Sequence, residues 1–185
     1  MSKIITIPDT EIFIPPDRFK TIKGATIKIE HSLVAIAKWE SKWHVPFMDP
    51  KVTKTNEMMI DYIRCMTINQ NVNPEIYNYI PDNVIKEINE YMEDPMTATW
   101  FNDSQNKKGG NREVITSEIV YYWMIAQNIP PEYDKWHFNR LMALIRVCSE
   151  KNAEGSDSKK MSKKSIYNQN RALNAARRKA SGSKG

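Results

Sequence analysis

Ten prolines, at positions 8, 15, 16, 46, 50, 74, 81, 95, 130 and 131, set the first limit on how this chain can fold. Proline fixes its own φ and has no backbone N–H to donate, so a helix or central strand must begin, end or break wherever one stands. Up to residue 131 the chain is therefore punctuated at intervals, and the longest proline-free stretch is the one beyond Pro131.

The first 29 residues carry three β-like runs, Ile4–Ile7, Glu11–Ile14 and Ala25–Ile29, separated by Pro8, Pro15-Pro16 and Gly24. A hairpin or sheet this small needs helices to pack against. From Glu30 to Trp43 the spacing turns helical, with Leu33, Ile36, Ala37 and Trp43 on one face and Glu40 as its single polar interruption. Thr55 is a candidate N-cap for a helix carrying Glu57 in its first turn and Met59, Ile60, Ile63 and Met66 on one side. Asn73-Pro74-Glu75 reads as the start of a short helix reaching Tyr79. Pro81-Asp82 begins another, striped by Val84, Ile85, Ile88, Tyr91 and Met92.

Pro95–Phe101 is predicted to be extended, and residues 102–111 form a polar loop in which Gly109-Gly110 marks a turn. Thr116 is placed to cap a helix that includes Glu118, Ile119, Val120, Trp123, Met124 and Gln127. After Pro130-Pro131 the longest helix is expected over Glu132–Lys151, with a core-facing stripe of Leu141, Leu144, Ile145 and Cys148. A connection this short predicts that the two helices pack as antiparallel neighbours. The fold class is thus mainly α: a short β-rich segment at 1–29, a helical domain at 30–152 and a basic tail at 153–185. Ala153–Ser158 has the composition of a flexible linker, and the tail is expected to be disordered or ordered only by a partner.

The net charge of +5 conceals a division. From Lys151 onward there are ten Lys and Arg against Glu154 and Asp157, a net of +8, which leaves 17 basic and 20 acidic residues, or −3, in residues 1–150. A basic tail on a mildly acidic body suits an acidic partner or nucleic acid. No run approaches the roughly 18 apolar residues of a membrane span, and the first residues do not resemble a signal peptide, so the expected location is cytoplasmic. Cys65 and Cys148 are far apart with no CxxC spacing and read as two buried, reduced thiols.

Little in the sequence carries catalytic chemistry. His31, His44 and His137 are scattered and lack zinc-site spacing; capping or packing accounts for His31 and His44. There is no G-x-S-x-G, Walker A or G-x-G-x-x-G motif, and Glu90 and Glu93 read as solvated charges. The chain is expected not to be an enzyme and to use no cofactor or metal. A catalytic reading would need the fold to bring one of the three histidines beside a Cys or carboxylate in a pocket.

Two groups of residues remain as candidates for binding. Tyr121, Tyr122 and Trp123, with Trp136 and Phe138, form the densest aromatic cluster. Most of it is expected to be core, but consecutive aromatics must point around a helix, so Tyr121 or Tyr122 is left free to anchor a protein partner. In the tail, Lys159, Lys160, Lys163, Lys164, Arg171, Arg177, Arg178 and Lys179 can contact about six to eight phosphates. Tyr167 is the tail's one stacking platform, which is too few for a dedicated single-strand reader.

The stretch TSEIVYYWMIAQNIPPEYDKWHFNRLMALIRVCSEK, Thr116–Lys151, resembles part of the small proteins encoded beside bacteriophage tail genes. The Lys160–Lys164 and Asn170–Lys179 blocks are similar to phage proteins as well. The resemblance implies a tail assembly chaperone, which coats the long tape-measure protein in the host cytoplasm until tail-tube subunits polymerise around it. On that reading the aromatic cluster and the basic tail make the contacts, with self-association left open. The alternatives are a virion structural protein, of neck, capsid or tail, whose tail segment contacts DNA or a neighbouring subunit, and a small nucleic-acid-binding regulator.

Overall fold

A computed structural model describes residues 2–101, 114–157 and 171. Four strands come first: β1 (Lys3–Ile7), β2 (Thr10–Ile14), β3 (Arg18–Ile22) and β4 (Ala25–Ile29). Among the described residues five α-helices come after them: α1 (Leu33–Trp43), α2 (Asn56–Met66), α3 (Asp82–Glu93), α4 (Ser117–Ala126) and α5 (Phe138–Asp157). Two 3₁₀ helices, Pro74–Tyr79 and Pro131–Lys135, precede α3 and α5. The fold is mainly α with a small N-terminal β-hairpin, as the segment pattern predicts.

The strands form one long antiparallel ribbon. β1 pairs with β4 and β2 with β3, and stepping from Ile7↔Ala25 to Thr10↔Ile22 advances three residues on each side, so both ladders share one register. They part at Pro8, which cannot donate to a ladder. There the Gly24 N–H donates instead to Asp9 Oδ1 at 2.7 Å. The strand Arg18–Ile22, which is not among the three β-like runs read from the sequence, is the return arm past the Pro15-Pro16 tip. Its charged Arg18 and Lys20 obscure the apolar alternation.

At the base of the ribbon Ile5, Ile7, Ile27 and Ile29 are buried, while Ile4 faces outward. Residues 67–69 extend this base as a third edge. Thr67 bridges to Ile29, the Ile68 amide donates to the Lys28 carbonyl, and Asn69 bonds the Lys28 amide and the Thr26 carbonyl through its side chain. Beyond Gly24 only Ile22 is buried, and the Phe13–Phe19 pair stands exposed with ring centroids 5.3 Å apart.

Capping fixes the helix starts. The Ser32 hydroxyl accepts from the Ala35 amide, Thr55 from Met58 and the Asn73 side chain from Glu75. These are local signals, so the helix starts at Thr55, Asn73 and Pro81 fall where the sequence places them. Trp39, buried within α1, donates from Nε1 to the Met58 carbonyl at 2.8 Å and holds α1 against α2.

Several expectations are corrected. Pro95–Phe101 is irregular rather than extended, with Met96 at φ 51° and Trp100 exposed. The long helix starts at Phe138, because Pro131–Lys135 closes a 3₁₀ turn instead. α4 packs on α1 rather than lying along α5 as an antiparallel neighbour. Helix α5 continues through Ala153–Asp157, where a linker is predicted; Ala153 and Glu154 are good helix formers. Cys65 and Cys148 are free but half-buried, not fully buried.

The chain divides into two units, Met1–Ile145 and Arg146–Gly185, and the division falls inside α5. In the second unit Arg146 Nε pairs with Glu150 at 3.1 Å along the helix. The polar loop with Gly109-Gly110 and the expected character of the tail lie outside the described residues.

The ribbon's crossing point yields a direct expectation. A Cβ at Gly24 would stand 2.1 Å from the Ile7 carbonyl oxygen and 2.6 Å from the Pro8 carbonyl carbon, both backbone atoms. Gly24→Ala should therefore cost about 1–3 kcal/mol of stability, read as a lower urea midpoint, whereas an exposed control such as Thr6→Ala should shift it far less.

Candidate partner-binding surface

Helix α4 begins where a buried carboxyl group holds it. Thr116 sits at its N-cap but makes no capping bond. The Ser117 amide donates instead to Glu40 Oε2 at 2.8 Å, and the Phe47 amide donates to Glu40 Oε1 at 2.7 Å. The one polar residue in the apolar stripe of α1 thus satisfies an orphan N–H of α4 and ties down the loop after α1. Val120 and Met124 then bury one face of α4.

The opposite face is also apolar, and it is uncovered. Tyr122 is 66% and Ile125 75% exposed, one helical turn apart. A helix apolar on all sides is ordinarily buried on all sides; this one is covered on one side only. Of the five aromatics singled out from the sequence, Tyr122 alone faces outward. Tyr121 is half-buried and its hydroxyl donates to Asp134 Oδ2 at 3.3 Å. Trp123 and Trp136 are half-buried, and Trp136 stacks on Tyr133 at 4.1 Å with the Arg140 guanidinium 4.2 Å from its ring.

Phe138 is buried with its ring 5.8 Å from His31, a core position. Among the tail residues Arg171 is exposed, while Lys159, Lys160, Lys163, Lys164, Arg177, Arg178 and Lys179 lie outside the described residues. Ile125, Trp100 and the Phe13–Phe19 pair are exposed apolar groups that the sequence reading does not single out. Strand alternation is the available signal for the phenylalanines. For Ile125 it is the absence of any polar residue between Glu118 and Gln127 other than the tyrosine hydroxyls.

Two histidines 106 residues apart in sequence meet in the interior. The His31 and His137 ring centroids are 5.1 Å apart. His31 Nδ1 and the Tyr62 hydroxyl are hydrogen-bonded at 2.6 Å, and the Tyr91 hydroxyl accepts the His31 amide at 3.3 Å. Because a carbonyl can only accept, His137 donates from Nε2 to the Tyr91 carbonyl at 2.9 Å. In the neutral ring His137 Nδ1 is then an unprotonated acceptor, buried and without a partner among the described residues.

Burial, reinforced by His137, lowers the His31 pKa from 6.5 to about 3. Burial also lowers that of His137, against the hydrogen bond to Tyr91. Desolvation drives the Tyr62 hydroxyl well above its ordinary value. Among the described residues the cluster's hydrogen bonds involve no cysteine and no carboxylate, and its His137 Nδ1 is left without a partner.

His44 is placed differently. It terminates α1 in a left-handed conformation (φ 55°) and lines an open cavity of about 360 Å³ with Ser41, Glu40, Thr116 and Glu118. The sequence criterion of a histidine near carboxylates in a pocket is therefore met in outline. Both Glu40 oxygens are occupied by backbone amides, however, and no hydrogen bond joins His44 to Glu118 among the described residues. Among those residues no group of three or more His, Cys, Asp or Glu is arranged to hold a metal ion, and no helix is long and apolar enough to cross a membrane.

The chain matches no protein-family model, no curated protein and no solved structure.

The buried histidines predict a pH dependence of a definite sign. The folded state holds His31 neutral while the unfolded chain takes up a proton below pH 6.5. Stability is therefore complete above pH 6.5 and declines as pH falls from 6.5 towards 3. Between pH 7 and pH 5 the loss from His31 should be about 2 kcal/mol. Urea unfolding at the two pH values should show it, and His31→Gln should shrink the difference even if that variant is less stable at pH 7.

Proposed function

We propose that this chain is a protein-binding factor of the tail assembly chaperone kind, which engages a long helical partner through the outer face of α4. The observation that carries the reading is the uncovered apolar ridge of Tyr122 and Ile125 on a helix whose other face is locked to α1. Such a ridge fits the apolar stripe of a partner helix, with anchors spaced at one helical turn. The ridge lies within Thr116–Lys151, the stretch that resembles the phage proteins. On this reading the partner is the tape-measure protein, the chaperone acts in the host cytoplasm without catalysis or cofactor, and the basic tail adds contacts to acidic surface. Rigid anchoring favours it: Glu40 and Asp134 fix the flanks of the ridge, so little conformational freedom is lost on docking.

The virion-component reading rests on a separate observation, the charge division between a −3 body and a +8 tail, which suits a protein lying on DNA. One experiment separates the two. Tagged full-length protein is expressed in infected or induced cells, its captured partners are identified by mass spectrometry, and purified particles are probed for the chain. The chaperone reading expects the tape-measure protein in the capture and none of this chain in particles. It also expects Tyr122→Ser with Ile125→Ser to reduce capture at least tenfold while the fold is retained. Presence of the chain in particles would establish the structural role instead.

A further inference from the structure

The two halves of the β-ribbon are held to the rest of the protein to different degrees. In the half nearer the body, Ile5, Ile7, Ile27 and Ile29 are buried and α3 packs against β1. Lys3 pairs with Glu87 of α3 at 3.1 Å, and the Ile68 amide and the Asn69 side chain bond along β4. The distal half, β2 with β3, has little of this. Only Ile22 among its strand residues is buried, and no helix packs on either strand to the extent that α3 packs on β1. Among the described residues no backbone hydrogen bond joins residues 8–24 to anything outside the ribbon. Their one polar side-chain link to the body, among those residues, runs from Lys20 Nζ to Glu75 Oε1 at 2.5 Å, between side chains 47% and 37% exposed.

The halves meet where the ladder stops. Pairing ends at Ile7↔Ala25 and resumes at Thr10↔Ile22. Pro8 has no N–H to donate, and the Gly24 amide is turned to Asp9 Oδ1. At this level a single side-chain bond takes the place of the ladder. Proteins open locally in contiguous units, and those that open most readily have few buried apolar contacts and solvent-exposed backbone bonds. The distal half meets both conditions, whereas β1 with β4 fails the first.

We infer that Thr10–Ile22 is a detachable arm, which opens and closes on the body as a unit of its own about the Pro8–Gly24 junction. Lys20–Glu75 and the seating of Ile22 are its latch, and Lys3–Ile7 and Ala25–Ile29 stay in place when it opens. The arm carries the Phe13–Phe19 pair, 55% and 74% exposed, so opening moves that pair away from the body. A bare two-stranded hairpin is marginally stable in water, so the ladder amides of β2 and β3 lose protection once the arm leaves its seat. The inference goes beyond the proposed function, because it concerns a different part of the fold and holds whether or not α4 engages a tape-measure protein.

The test is amide hydrogen exchange of the full-length chain at pH 7, corrected for intrinsic rates. The ladder amides of β2 and β3 should exchange at least tenfold faster than those of β1 and β4. Ile22→Ala, which empties the seat, should speed the arm at least a further tenfold and leave β1 and β4 within twofold. Glu75→Gln should speed the arm two- to fivefold, again without effect on β1 and β4. Salt of about 1 M, where charges are screened beyond about 3 Å, should have that same effect on the wild type and none on Glu75→Gln. Equal protection of the two halves, or equal acceleration of both by Ile22→Ala, would show one cooperative ribbon and overturn the assignment. Glu75→Gln alters an exposed side chain and keeps the test valid if Ile22→Ala disturbs folding, as read by circular dichroism. An arm whose exchange it leaves unchanged has no such latch, which would overturn the assignment as well.

Discussion

The carbonyl of His31 accepts the Phe138 amide at 2.8 Å, its amide donates to the Tyr91 hydroxyl, and its ring bonds the Tyr62 hydroxyl. Five elements meet at this one residue: it lies between β4 and α1, Tyr62 belongs to α2, Tyr91 to α3, and Phe138 opens α5. In a buried setting each of these polar groups would cost about 1–3 kcal/mol if left unpaired, so the arrangement is strongly specified once any part of it forms. It also dictates the protonation state. The His31 ring is surrounded by a tyrosine hydroxyl and aromatic edges, and no carboxylate among the described residues is bonded to it to balance an imidazolium.

Glu40 plays the corresponding part on the other side of α1. Its two oxygens bind amides from the loop after α1 and from the start of α4, which makes α1 the element around which its neighbours are arranged. With the interior specified by His31 and Glu40, the apolar residues that remain outside are not needed for the fold. Tyr122 and Ile125 on α4 are held in place by neighbours that already have partners. That combination of a fixed interior and uncovered apolar surface favours recognition of another protein.

The features legible in the sequence are local ones. Thr55 and Asn73 cap helices through their own side chains, the stripes of α1 to α3 supply Leu33, Ile36, Ile63, Met66, Ile88 and Tyr91 to the core, and Pro130-Pro131 separates α4 from α5. The same local pattern shows Glu40 as an interruption but not its purpose, because its partners at Phe47 and Ser117 lie 7 and 77 residues away. The pairing of His31 with His137 leaves no periodic trace. Phe138 stands three residues before Leu141, on the spacing of that stripe, but the spacing does not show that its amide meets the His31 carbonyl. The strand Arg18–Ile22 is hidden because, apart from Ile22, its side chains face solvent, so no burial pattern marks it. That Tyr121, Tyr122 and Trp123 point in different directions is implied by helical geometry alone. Which of them faces out depends on where α1 lies, and spacing does not contain that.

The deciding measurement is the ring chemical shifts of His31 and His137, followed by NMR from pH 7 down to the onset of unfolding. If the buried cluster organises the fold, the His31 ring stays neutral across that range and His137 shows the Nε2-protonated tautomer at pH 7. A His31 ring that takes up a proton near pH 6.5 in the folded protein would contradict the account.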